Sequence, residues 1–128
     1  MVNDPIADFL IRLQNAFKAD KESVDVLNST ITRALADVLL REGYIGETSR
    51  DKKGSTFTVS LSYKNGRPTI VGAKRISKPS RRVYLGVRDI KPVKSGHGLL
   101  VLSTPDGIMT GKEARQKRVG GEALFEIW

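Results

Sequence analysis

His97, Ser103 and Asp106 are the residue types of a hydrolytic triad, and they fall within ten residues of one another. A serine nucleophile needs a base within hydrogen-bond reach and an acid that orients the base. Closeness in sequence does not supply that geometry, and the G-x-S-x-G elbow that presents a nucleophilic serine is absent. His97 stands in SGHG and reads as a loop histidine. It is the sole histidine, and there is no cysteine, so metal ligands would have to be carboxylates. The sequence has no acidic cluster to provide them. Gly96 and Gly98 lack the third glycine and the strand-to-helix context of a dinucleotide loop. None of these sets argues for catalysis, and no cofactor is expected.

Two other sets carry binding chemistry. AKRISKPSRR places Lys74, Arg75, Lys78, Arg81 and Arg82 within nine residues, with no acid among them. In an extended chain alternate side chains point to opposite faces, so these bases are split between two faces. Pro79 argues for an edge or a turn. Two readings stand together: a surface for phosphates, or a solvated edge strand protected by charge. The second set is STPDGIMTGKE, residues 103–113. Ser103 and Thr104 leave an apolar run and enter a Pro105-Asp106-Gly107 turn, with a helix start at Thr110. Hydroxyls, turn N–H groups and a helix N-terminus suit nucleotide edges, 2′-hydroxyls and phosphates across the shallow minor groove of RNA. The same residues also describe a plain turn whose hydroxyls satisfy their own backbone, which is the preferred reading at this level. Tyr84, beside the basic run, has the ring to stack on a base, but packing is the expectation. Phe125 and Trp128 read as core or interface residues.

These groups must be held by regular elements. Asp4 caps a first helix with Pro5 at its first position, and Ile6, Phe9, Leu10, Leu13 and Phe17 form its apolar stripe. Arg12, Gln14, Asn15 and Lys18 lie off that stripe. SVDVL is a short strand. Asn28 or Ser29 caps a second helix with Ile31, Leu35, Val38 and Leu39 inward, and Gly43 ends it. TFTVSLSY alternates as a half-buried strand between turns at RDKKGS and KNG, and Asn65-Gly66 suits a tight hairpin. The order to residue 72 is helix, strand, helix, strand, strand. From residue 73 the chain becomes β-rich. DIKPVKSGHG reads as a linker and GLLVLST as a strand buried on both faces. Thr110 with Glu113 forms a capping box that opens a short helix, GKEARQKRV. Gly120-Gly121 stops it, and EALFEIW closes the chain as a strand. The expected class is α+β in two small subdomains, 1–72 and 73–128.

The chain has 128 residues and a net charge of +8. Residues 1–51 hold nine acids and six bases, whereas 52–128 hold five acids and sixteen bases. That asymmetry points to a polyanion against one half. No apolar run reaches the roughly 18 residues of a membrane helix, and MVNDPIADFL lacks the basic start of a secretory signal. A soluble, cytoplasmic protein without a membrane partner is expected.

DPIADFLIRLQNA, RISKPSRRVY and GHGLLVLSTPDGIMTGKEARQKRVGGEALFEIW, in that order, closely resemble the bacterial form of small ribosomal subunit protein eight. The resemblance spans essentially the whole chain. It implies a structural, non-enzymatic ribosomal protein that binds the central domain of small-subunit ribosomal RNA and helps assemble the platform. It also implies small-subunit proteins five and twelve as neighbours, and in some members binding of their own operon messenger RNA. The family's C-terminal loop meets a distorted RNA helix at its minor groove. Its serine-threonine-serine triplet falls on Ser103, Thr104 and Pro105, and Pro105 has neither hydroxyl nor N–H. Gly107, Met109, Thr110, Gly120, Gly121 and Glu122 match, as do Arg82 and Tyr84. Ser80 stands where glycine is usual. In the first helix Arg12 and Asn15 match, and Gln14 replaces a common arginine. The RNA-binding set is thus Ser103, Thr104, Gly107, Thr110, Arg82, Tyr84, Lys74, Arg75, Lys78, Arg81, Arg12, Asn15, Gly121 and Glu122. The alternatives are a free translational repressor, a hydrolase using Ser103 and His97, and an adaptor that binds protein through the less basic half.

Overall fold

The computed structural model describes residues 4–49, 54–93 and 97–128. Part of the RDKKGS turn and residues 94–96 of the expected linker lie outside that set. The fold is α+β, with helices packed on antiparallel sheets. The chain divides into two compact units, Met1–Val71 and Gly72–Trp128.

The first unit opens with α1 (Pro5–Lys18). The Asp4 side chain accepts from the Ala7 N–H at 3.1 Å, and Pro5 occupies the first turn, as the sequence predicts. Ile6, Phe9, Leu10, Leu13 and Phe17 are all buried. Each such side chain contributes roughly 1.5–3 kcal/mol, which is what fixes the helix to β1 (Ser23–Leu27). Ser29, not Asn28, caps α2 (Thr30–Arg41), in a reciprocal box with Thr32. Two further strands follow, β2 (Ile45–Thr48) and β3 (Thr56–Leu61), and the sheet order is β1-β3-β2. The sequence reading has no strand at β2, because IGET holds a single apolar residue and takes its strand character from pairing with β3. In β3, Phe57, Val59 and Leu61 are buried, as alternation requires. Tyr63 does not continue that strand. It starts a separate hairpin, β4 (Tyr63–Lys64) and β5 (Arg67–Pro68), turned by Asn65 (φ 52°) and Gly66 (φ 74°). Both turn residues have positive φ, the geometry that suits the twist of a two-residue hairpin.

Among the described residues the second unit is one antiparallel sheet with one α-helix. Its elements are β6 (Ala73–Arg75), β7 (Tyr84–Leu85), a 3₁₀ turn (Val87–Asp89), β8 (Leu99–Thr104), β9 (Gly107–Thr110), α3 (Gly111–Lys117) and β10 (Gly121–Ile127). The order is β6-β10-β8-β9, and β7 also pairs with β10. β8 is the buried centre, as its apolar run predicts. Leu100, Leu102, Met109, Ala114 and Ala123 form a core with Ile90 and Val93. Phe125 is fully buried, and Trp128 packs against this core partly exposed.

Two expectations for the second unit are corrected. α3 ends at Lys117 with Arg118 in the left-handed region (φ 56°), so Gly120-Gly121 is not its stop. Gly121 instead permits close strand approach, because a Cβ there would collide with the Ser103 carbonyl oxygen on β8. The segment GIMT, read as turn leading to helix, is strand β9, paired from Thr104↔Gly107 to Val101↔Thr110. Pairing with a central buried strand decides it, since four residues carry no readable period.

Candidate functional site

The segment 73–85 runs along one edge of β10 twice. β6 pairs with the C-terminal end of β10, through Phe125↔Arg75 to Ile127↔Ala73. β7 pairs with its start, through Gly121↔Leu85 and Glu122↔Tyr84. Between them the chain leaves the edge as a tight turn closed by Lys78 N to Arg81 O (2.9 Å) and Arg81 N to Lys78 O (3.0 Å). Pro79 and Ser80 form its tip. The edge-or-turn expectation for Pro79 is met by the turn. Lys78, Arg81 and Arg82 stand exposed on this projection. Lys74 and Arg75 point to opposite faces, as alternation predicts. Lys74 is exposed opposite Glu126, whereas Arg75 is half-buried and donates to the Leu124 carbonyl at 2.8 Å.

The cross-strand register brings distant residues into one row. Glu122 on β10 pairs with Tyr84 on β7 and with Ser103 on β8, and Ser103 pairs with Ile108 on β9. Paired residues share a face and neighbouring strands lie about 4.8 Å apart, so Tyr84, Glu122, Ser103 and Ile108 form a line of roughly 14 Å. Tyr84 is 70% exposed, which corrects the packing expectation: β7 has only two paired residues, and among the described residues none buries the ring. Ser103 is partly exposed, and its hydroxyl makes no hydrogen bond to a described residue.

Glu122 is the acid in this row, and its side chain is 16% exposed. Its Oε2 accepts from the Ser77 hydroxyl and from Arg82 Nη1 at 3.0 Å. Burial pushes the carboxyl up. The hydrogen bonds from Ser77 and Arg82, with the charges of Arg82 and Arg75, outweigh it and hold the group below its usual value of 4.5. Ser77 is fully buried and also accepts from the Val83 N–H at 3.1 Å. Sequence reasoning missed it. A serine in RISK looks like any solvent-facing strand residue, and its partner lies 45 positions away.

The turn after β8 behaves differently from the expectation of free donors. Thr104 is 9% exposed. Its hydroxyl donates to the Gly107 carbonyl at 2.9 Å and accepts from the Asp106 N–H at 3.1 Å. Thr104 therefore satisfies its own turn, as the plainer reading has it, while Ser103 on the opposite face does not. Pro105, Asp106 and Gly107 are exposed. Thr110 is fully buried, and the α3 terminus is closed on itself: Thr110 Oγ1 accepts from Glu113 N–H, and Glu113 Oε1 accepts from Thr110 N–H, each at 3.1 Å. Thr110 supports the helix, and its N–H and hydroxyl are both spent on Glu113.

In the first unit, Arg12 bonds Asp8 at 2.9 Å and reaches the Asp25 carbonyl on β1 at 3.2 Å, so the guanidinium braces helix to strand. Asn15 is exposed on α1. The triad types do not converge. His97 lies in the turn before β8 and Ser103 lies near the strand's far end; Leu99 to Ser103 alone is four residues of extended strand, or roughly 13 Å. Among the described residues no three of His, Cys, Asp and Glu gather as a metal site, and no helix is long and apolar enough to cross a membrane.

Comparison with known proteins decides the family. The family model for ribosomal protein S8 matches residues 4–128. The small ribosomal subunit protein uS8 of Nitratidesulfovibrio vulgaris (strain Miyazaki F) is 45% identical over 128 residues, covering all of both chains. That of Oleidesulfovibrio alaskensis is 47% identical, again over the full length of both. That of Roseiflexus castenholzii is 46% identical, covering 99% of this chain and 98% of its own.

The chain belongs to the ribosomal protein S8 family. The Ser103–Glu122–Tyr84 row lies within the second unit of the chain, with every strand of the row paired to β10 or β8.

Proposed function

We propose that this chain, a non-enzymatic structural protein of the small ribosomal subunit, binds the central domain of small-subunit ribosomal RNA through the Tyr84–Glu122–Ser103 row. It thereby helps assemble the platform. The observation that carries the reading is the register itself. It places an exposed ring, a fixed acceptor and an unspent hydroxyl in line across three strands, beside a projection of exposed bases. A ring stacks on an unpaired base, and short polar groups suit the 2′-hydroxyls and base edges of a shallow minor groove. Lys78, Arg81 and Arg82 supply affinity by displacing counterions from phosphates, and Lys74 adds to that field. Thr104, Gly107 and Gly121 hold the β8–β9 turn and the β8–β10 approach, and Thr110 anchors α3 behind them. Arg12 and Asn15 offer a smaller polar surface on α1. Small-subunit proteins five and twelve are the proposed neighbours. A hairpin of the same shape in the operon messenger RNA would meet the same row, which makes autoregulation a use of one site.

The test is titration against the central-domain ribosomal hairpin and against a plain duplex of equal length, across a salt series. Tight hairpin binding with a clear preference over duplex is expected. Equal binding to both with the same salt slope would reduce the second unit to a general polyanion surface and overturn the row as the reading element.

A further inference from the structure

An acid inside a phosphate-binding face is unfavourable unless its position is used. Glu122 is that acid: it lies between Tyr84 and Ser103, on a unit that carries twelve bases and five acids. Two tethers fix it. Oε2 takes both the Ser77 hydroxyl and Arg82, whereas Oε1 accepts from no described residue. Ser77 has no other role visible at the surface, being fully buried, and its own lone pair is engaged by the Val83 N–H that leads into β7. Arg82 sits on the exposed projection with its side chain 52% exposed.

We infer that Ser77 is a positioning residue for recognition: it holds Oε2 of Glu122, so that Oε1 is presented along the row as an acceptor for a neutral nucleotide donor. An ionised carboxylate only accepts, so it pairs with an amino group of a base or with a 2′-hydroxyl and repels phosphate oxygens. The pair thus converts a generally basic face into one that prefers a groove edge or a splayed base over the backbone. The same contact links β6–β7 to β10, so the acceptor and the Tyr84 ring move together. The inference rests on the reading of the row as the RNA-binding face.

The test separates the two. Affinity for the ribosomal hairpin and for the plain duplex is measured for wild type, Ser77→Ala, Glu122→Ala and the double variant, with thermal unfolding followed by circular dichroism. Ser77→Ala is expected to lower the hairpin-over-duplex ratio about fivefold, the worth of one hydrogen bond, with duplex affinity unchanged. Added to Glu122→Ala it is expected to lower the ratio no further, because its effect passes through the carboxylate. If the Ala variant does not fold, Ser77→Cys, with a weaker donor in nearly the same space, is expected to lower the ratio by a smaller factor. The positioning role is overturned if Ser77→Ala leaves the ratio unchanged, weakens both RNAs alike, or costs as much in the Glu122→Ala background. The row itself is overturned, and the inference with it, if Glu122→Ala, Ser103→Ala and Tyr84→Ala all leave hairpin affinity at the wild-type value.

Discussion

Ser103 and Thr104 are adjacent hydroxyls with opposite duties, and the difference lies in the strand's period of two. Thr104 turns inward and closes its own turn, whereas Ser103 turns outward along the row. Thr104→Ala should therefore cost about 1 kcal/mol in urea unfolding, through two lost turn bonds. Ser103→Ala should change stability by less than about 0.5 kcal/mol yet weaken hairpin binding by about 1 kcal/mol. Equal stability losses in the two variants would contradict that division. The Glu122 carboxyl adds a pH signature. Its folded-state value lies below 4.5, so its contribution to stability is present above that pH and is lost as pH falls through the lower folded value. The stability difference between wild type and Glu122→Gln should be flat near neutrality and shrink below about pH 4.5, read from urea midpoints across a pH series. A difference that grows on acidification would mean that the carboxyl is not held in its charged form.

At the scale of elements, the capping box and the close approach of β10 to β8 fix where the row sits. Gly121→Ala forces a methyl group onto the Ser103 carbonyl, so it should destabilise by roughly 1–3 kcal/mol and disturb Ser103, the β8 partner of Glu122 in the row. Thr110→Ala should cost about 1 kcal/mol by opening the start of α3, with RNA affinity changed only as far as the fold is. Urea unfolding of both variants checks the ranking. These elements differ in how legible they are. The stripe of α1, the alternation of β3 and the Thr110–Glu113 box are local patterns of side chains, and the structure contains them. β2 and β9 carry no such pattern within four residues each, and only pairing with β3 and β8 makes them strands. The row is less legible still in the sequence. Tyr84, Ser103 and Glu122 are separated by tens of residues, and they meet because β7 and β8 flank β10. Resemblance to a family marked these three residues, but the register that aligns them, the exposure of Tyr84 and the part played by Ser77 belong to tertiary structure.

Across the whole molecule the positive charge is not evenly shared. The second unit holds twelve bases against five acids, and the first holds ten against nine. Counterion release depends on how many phosphates are neutralised, not on total charge, so the slope of affinity with salt reports which bases sit near the backbone. Lys78 and Arg81 are exposed at the projecting turn. Replacing both by glutamine should flatten the slope by roughly one to two units, at about 0.7–0.9 per lost phosphate contact, and weaken hairpin and duplex alike. Lys64→Gln, on the exposed hairpin of the first unit, removes the same kind of charge and should leave the slope within error of wild type. Double-mutant and Lys64 titrations in parallel separate local contact from net charge. If the Lys64 change flattens the slope as much per charge as the turn pair does, the field of the whole protein sets affinity, and the projection beside the row has no special claim on the phosphates.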